Sequence, residues 1–166
     1  MQRTSFAEFH CSLARALDVV GEWWSPLVVA RVALGLNRFD DLHHELGVSR
    51  KVLTSRLDTL VHHGVLERRP YQSRPVRHEY VLTEKGADLV PALMALMAWG
   101  DRWTTDGDGP PLALRHRRCG HDAEPQVTCS RCGESMTHED VVARAGPGSQ
   151  VGPGTRLSAE RLRVQR

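Results

Sequence analysis

The chain of 166 residues is long enough for one hydrophobic core of ordinary size together with a small appended module. No run of apolar residues could span a bilayer and the first residues lack a signal-peptide profile, so we expect a soluble, cytoplasmic protein with no membrane partner. The net charge of +2 is unevenly distributed, because residues 50–77 carry seven cations and two acids, or +5, which leaves −3 for the rest. This concentration indicates a phosphate-binding surface, with a solvated basic face as the alternative.

Capping signals predict the first two helices. The pattern Ser5 to Glu8 has the form of a capping box, so we expect a first helix that follows it and continues to Val20. The buried side of this helix is predicted to comprise Leu13, Leu17 and Val20. Ser25, which a proline follows, is predicted to be the N-cap of a second helix that ends near Leu34.

The next two helices are predicted to form a helix-turn-helix. Apolar spacing indicates a short third helix over 38–46 and a fourth over 50–63. Gly47 is predicted to make the turn between them, and Ser49 to cap the fourth helix. Two helices joined by a short glycine-bearing turn define this motif.

A hairpin and one long helix are predicted to complete the domain. Short strands are expected over 65–69 and 78–82, because the prolines between them forbid a continued helix. Thr83 is predicted to cap a helix over 84–103. The apolar stripe of that helix is wider than one small core needs, which indicates a partner helix from a second copy. The expected fold is therefore mainly α with a small β-hairpin (α+β), a winged helix-turn-helix.

The fourth helix and the hairpin are the predicted DNA-binding elements. The major groove of B-DNA admits one α-helix, and its base edges can be read by short polar and cationic side chains. The basic tip of the hairpin would approach the adjacent minor groove or its phosphates. The predicted DNA-binding residues are Ser49, Arg50, Lys51, Thr54, Ser55 and Arg56 on the helix, with Arg74 and Arg77 on the wing.

Residues 9–103 resemble the HxlR-type branch of winged-helix transcriptional regulators, in the MarR-like superfamily. The matching features are Cys11, Gly21 to Trp24, Gly35, Arg38 to Leu42, Lys51 to Thr54, Gly64 to Leu66, Glu79 with Tyr80, and Leu82 to Gly86. The resemblance implies a bacterial, nucleoid-associated homodimer, joined through the first and last helices, that binds a near-palindromic operator in double-stranded DNA. Whether binding represses or activates stays open. A winged-helix protein-interaction module is the alternative function, and an enzyme is not expected.

The same resemblance points at Cys11, because some family members sense oxidants or electrophiles through an N-terminal cysteine. A reactive thiol would need a lowered pKa from a helix N-terminus or a nearby cation. We favour the other interpretation, in which Cys11 is a small residue packed at the dimer interface. A small-molecule effector is also open, and the sequence names none.

The late cysteines are predicted to bind zinc. His116 and Cys119 stand three apart with a glycine directly after, and Cys129 and Cys132 repeat that spacing. Each piece has the form of a zinc knuckle, and two knuckles supply four ligands for a structural Zn²⁺. His121 is the alternative to His116, and free thiols in a flexible tail are the alternative to a metal site.

Four parts of the chain follow from these patterns. We expect a winged helix-turn-helix and dimerisation domain over 1–106, a linker over 107–113, a zinc-ribbon-like module over 114–145 and a flexible tail over 146–166.

Overall fold

The computed structural model describes residues 5–105, 107 and 109–156. Within that part of the chain there are five helices and one two-stranded antiparallel sheet, so the α+β winged helix-turn-helix is confirmed. The elements in chain order are α1 (Ser12–Val20), α2 (Trp24–Ala33), α3 (Phe39–Leu46), α4 (Arg50–His62), β1 (Leu66–Ser73), β2 (Val76–Leu82) and α5 (Glu84–Trp103). Packing separates the described residues into two units, one comprising 5–86 with 142–156 and the other comprising those within 87–141.

Helix α1 begins later than the sequence predicts. Ser5 does not cap a helix, because its hydroxyl donates to Asp18 Oδ2 at 3.2 Å and the Phe6 N–H donates to Asp18 Oδ1 at the same distance. The N-cap position belongs to Cys11, whose backbone is extended. The predicted buried side is also wrong for the single chain, since α1 buries none of its residues and Leu13 is 68% exposed.

Helix α2 starts at Trp24, one residue before the predicted cap. Ser25 lies inside the helix with its side chain fully buried, and its hydroxyl has no hydrogen-bond partner in the described residues. The prediction that Ser25 is the N-cap is therefore wrong. Pro26 is still compatible with the first turn of α2, because backbone N–H groups in the first turn have no intrahelical acceptor.

The helix-turn-helix follows the predicted pattern closely. Gly47 adopts the left-handed conformation at φ 61° and ends α3, where a side chain would be strained. The Val52 N–H donates to Ser49 Oγ at 3.4 Å, which caps α4. The core that holds these helices consists of fully buried Val28, Val29, Leu42, Leu53, Leu57 and Leu60. Truncating any one of these leucines to alanine would cost about 2–5 kcal/mol of stability.

The wing strands are longer than predicted. β1 continues to Ser73 and β2 begins at Val76, and they pair from Leu66 opposite Leu82 to the tip. The register shifts between Pro70 and Gln72. An irregularity at this place accommodates a proline, which has no N–H to donate to the ladder.

Helix α5 has the predicted bounds, and its first turn is fixed to the residues before β1. Thr83 Oγ1 accepts from the Gly86 N–H at 3.1 Å and donates to the Gly64 carbonyl at 2.6 Å. Further along, Trp99 and Trp103 are 58% and 68% exposed. Helix α5 therefore presents large apolar side chains to solvent in the single chain.

Candidate nucleic-acid interface

The N-terminal half of α4 presents one continuous polar face. Leu53 and Leu57 are fully buried, so the residues on the other side of the helix are turned outward. The predicted base-reading residues Ser49, Arg50, Lys51, Thr54 and Ser55 are all exposed there. Hydroxyl, guanidinium and ammonium groups on one accessible helix face can hydrogen-bond to base edges in a major groove.

Arg56 lies at the edge of this face and is mostly buried. Its guanidinium lies 3.4 Å from Glu22 Oε2, and only 19% of its side chain is exposed. Its Nε is buried without a hydrogen-bond partner in the described residues. The guanidinium also donates from Nη2 to Ser55 Oγ at 3.1 Å, so it links the exposed face of α4 to the segment before α2, and its contact with DNA stays a prediction.

Carboxylates neutralise three of the six other cations in residues 50–77. Arg50 Nη2 lies 2.7 Å from Asp40 Oδ1, on an exposed pair at the start of α4. Arg68 pairs with Asp58, and Arg69 pairs with Glu67. With Arg56, four of the seven cations counted in the sequence have an internal partner.

Three cations keep their charge uncompensated. Lys51 on α4 and Arg74 and Arg77 on the wing are exposed, and none has a carboxylate within ion-pair distance in the part of the chain that the structure describes. These three residues are hereafter the unpaired cations. They sit on the two elements that a winged helix applies to DNA.

Sequence reasoning missed the groove between α3 and the wing. Arg38, Tyr71 and His78 line it, together with Arg50, Arg68 and Arg77, while Asp40 and Asp41 contribute negative charge. The Arg38 guanidinium lies 4.4 Å from the centre of the Tyr71 ring, a cation–π contact that orients both side chains. Arg38 and Tyr71 are far apart in sequence, so no local spacing could have predicted their meeting.

The wing is tied to the chain in front of α3. The Tyr80 N–H donates to the Asn37 carbonyl at 2.7 Å, and Asn37 Nδ2 donates to Glu79 Oε2 at 3.1 Å. Arg38 also forms an isolated bridge with Glu79. These bonds fix the direction in which the hairpin leaves the helix-turn-helix.

Cys11 lies at the N-cap of α1 rather than just inside the helix, and it is half-buried. The C-terminal segment of the same unit lies against this region. A Cβ on Gly154 would be 3.6 Å from Cys11 Cβ and 2.7 Å from Phe9 Cδ1. The close approach to the Phe9 ring, together with a φ of +82°, favours glycine at position 154.

The late histidine and cysteines form two separate pairs. His116 Nδ1 and Cys119 Sγ are 3.3 Å apart. The backbone N–H groups of Cys132 and Arg131, followed by the Cys132 thiol, hydrogen-bond to Cys129 and lower its pKa. No group of three or more potential metal ligands is close enough to hold one ion in the described residues. The structure therefore forms the pairs and does not bring all four predicted ligands together.

This fold and this face define a DNA-binding winged helix-turn-helix of the transcriptional-regulator class. A family model described as HxlR-like helix-turn-helix matches residues 19–108, and the chain belongs to that family. An uncharacterised HTH-type transcriptional regulator, Rv3095 of Mycobacterium tuberculosis, is 46% identical over 137 residues, which cover 82% of this chain and 87% of the relative. The family and its members are transcriptional regulators and not enzymes.

Solved structures agree with the family. PA1607, named as a candidate transcription factor, is 36% identical with a TM-score of 0.76, over 86% of this chain and all of its own. The redox regulator HypR in its oxidised form is 29% identical with a TM-score of 0.53, over 55% of this chain and 96% of its own. No helix in the described residues is both long and apolar enough to cross a membrane.

Proposed function

We propose that this transcriptional regulator acts as a homodimer on a near-palindromic operator, with α4 of each chain in a major groove and each wing on the flanking phosphates. The unpaired cations are the observation that carries this proposal. Internal carboxylates neutralise the other four cations of the segment, so Lys51, Arg74 and Arg77 hold the charge that an external anion can meet. Phosphate contacts of this kind position a reading helix on DNA.

Exposed apolar side chains support the dimer. On α1, Leu13 and Leu17 are open to solvent, and on α5 the exposed residues include Leu96, Trp99 and Trp103. Large apolar groups clustered on a helix of a soluble domain usually mark an interface. A twofold dimer presents two identical reading helices, which is why the proposed operator is near-palindromic.

The dimer is tested by measuring molar mass with light scattering. We expect twice the chain mass for the wild type and a lighter species for Trp99→Glu. Val76→Glu is the matched control, because Val76 is equally exposed but lies on the wing. A wild type that runs as a monomer at micromolar concentration would remove the homodimer from the proposal.

DNA binding is tested by fluorescence anisotropy on the duplex beside the protein's own gene, with a random duplex of equal length for comparison. We expect tight, salt-sensitive binding that weakens in Lys51→Ala and Arg77→Ala. If the protein binds the random duplex equally well, this operator assignment fails. If it binds neither duplex at low salt, the protein-interaction module becomes the better description.

Redox control is tested on Cys11, because HypR is named a redox regulator. We propose that Cys11 packs rather than senses, since it is half-buried and the backbone at Gly154 lies near its Cβ. Diamide should then leave operator affinity unchanged in both the wild type and Cys11→Ser. A loss of affinity that only the wild type shows would make Cys11 a switch.

A further inference from the structure

The segment after α5 contains an internal structural repeat. Residues 114–123 and 127–136 have the same three backbone hydrogen bonds, displaced by 13 residues (116 to 129). In donor-to-acceptor order they are His116 to His121, Gly120 to His116 and Ala123 to Leu114, then Cys129 to Glu134, Gly133 to Cys129 and Met136 to Val127, all at 2.8–2.9 Å. An isolated β-bridge closes each copy, and these also repeat at the same displacement.

A glycine in each copy has the conformation that the turn requires. Gly120 has φ 72° and Gly133 has φ 80°, a region that other residues rarely occupy. Each glycine directly follows the second potential ligand of its copy. The two turns therefore share their backbone geometry as well as their spacing of histidine and cysteine.

This segment has no hydrophobic core of its own to hold its two turns. None of the described residues from 109 to 141 is buried. A short segment without a core needs a covalent or metal staple to define one structure. The cysteines are free thiols in the structure, so a disulfide does not supply that staple.

The donor atoms of the first turn already have a spacing suited to metal. His116 Nδ1 and Cys119 Sγ are 3.3 Å apart. Two donors on one tetrahedral zinc, with bonds of about 2.0–2.3 Å, are about 3.5 Å apart.

We propose that His116, Cys119, Cys129 and Cys132 form one structural zinc site, in which the ion joins the two turns. Because the two pairs are separate in the structure, binding of the metal is what brings them together. Three thiols lose their protons on binding, so Zn²⁺ with three thiolates and one neutral imidazole carries a net charge of −1. Arg117, Arg118 and Arg131 are exposed next to the ligands and compensate that charge.

The repeat selects His116 over His121. His116 occupies the position of Cys129, whereas His121 occupies the position of Glu134. His121 contributes its backbone carbonyl to the turn, accepting from the His116 N–H at 2.9 Å. Four protein ligands leave no open coordination position, so the site is structural rather than catalytic.

The test uses the full chain purified without chelator. We expect one zinc per chain by elemental analysis, and retention of that zinc in Cys11→Ser and His121→Ala. The matched variants Cys132→Ser and His116→Ala should lose it while keeping the helical circular dichroism of α1 to α5. Cobalt substituted for zinc should give the visible absorption of a tetrahedral thiolate site in the wild type, Cys11→Ser and His121→Ala, and not in Cys132→Ser or His116→Ala.

Limited proteolysis supplies a readout that does not depend on any variant. Adding a chelator to the wild type should open residues 114–136 to cleavage, and restoring Zn²⁺ alone should close them again. Less than half a zinc per chain in a folded wild type, with no zinc taken up on addition, would overturn the proposal. Loss of zinc in His121→Ala but not in His116→Ala would overturn the ligand assignment.

Discussion

The salt dependence of DNA binding should distinguish Arg77 from Arg69, although both are exposed arginines on the wing. Arg77 has no carboxylate partner in the described residues, whereas Arg69 is paired with Glu67. A cation that is already neutralised displaces few counterions when it approaches DNA. We therefore expect Arg77→Ala to change the salt dependence and Arg69→Ala to leave it nearly unchanged.

The size of the effect follows from counterion release. Each phosphate contact contributes about −0.9 to the slope of log affinity against log salt concentration. In the proposed dimer, Arg77→Ala removes one contact from each chain, so the slope should become shallower by about 2. Between about 50 and 200 mM salt, this difference amounts to about tenfold in relative affinity.

Anisotropy titrations at five or more salt concentrations, on one operator duplex, measure these slopes directly. Both substitutions remove one positive charge, so the long-range attraction to DNA changes equally in the two variants. Any difference in slope therefore reports the local contact. Equal slopes for Arg77→Ala and Arg69→Ala would refute the reasoning, because internal pairing would then have no bearing on DNA contact.

Three stability predictions follow from close packing and capping, each measured by urea denaturation. Gly86→Ala should destabilise the fold by about 1–3 kcal/mol, because its Cβ would lie 2.2 Å from the carbonyl oxygen of the residue before β1. Gly100→Ala should be neutral or stabilising, because its Cβ would lie at an ordinary contact distance of 3.7 Å from Thr104 Oγ1. Ser49→Ala should cost about 1 kcal/mol through loss of the α4 cap, and Ser49→Asp should restore it. Arg56→Ala should lower stability by about 1 kcal/mol while leaving the salt slope unchanged, and a changed slope would show that Arg56 reaches DNA after all.

Local chemistry made most of the fold predictable. The left-handed turn at Gly47, the cap at Ser49 and the cap at Thr83 each act within one helical turn, so their residue types reveal their positions. For that reason α5 has the predicted bounds, and α3 and α4 differ from prediction by one residue at most.

Tertiary contacts explain the errors at the first two helices. The pattern from Ser5 to Glu8 satisfies the rule for a capping box, but Asp18 offers its carboxylate to Ser5 and Phe6 from 12 or 13 positions away. Burial of Ser25 likewise depends on the helices packed around it. No window of neighbouring residues contains either interaction, so a sequence pattern could not have predicted them.

The charge count of the DNA-binding segment also misses distant contacts. Carboxylates from outside the segment pair with two of its cations, which changes the charge that those cations can offer to DNA. Residues 50–77 total +5, but Glu22 and Asp40 lie outside that window and neutralise Arg56 and Arg50. An exposed ion pair such as Arg50 with Asp40 is worth at most about 1 kcal/mol. Arg50 is exposed at the start of α4, and a bidentate contact with guanine would give about 1–3 kcal/mol of discrimination against the other bases. We therefore expect Arg50 to leave Asp40 for a base edge, and the unpaired cations on the wing to contact phosphates.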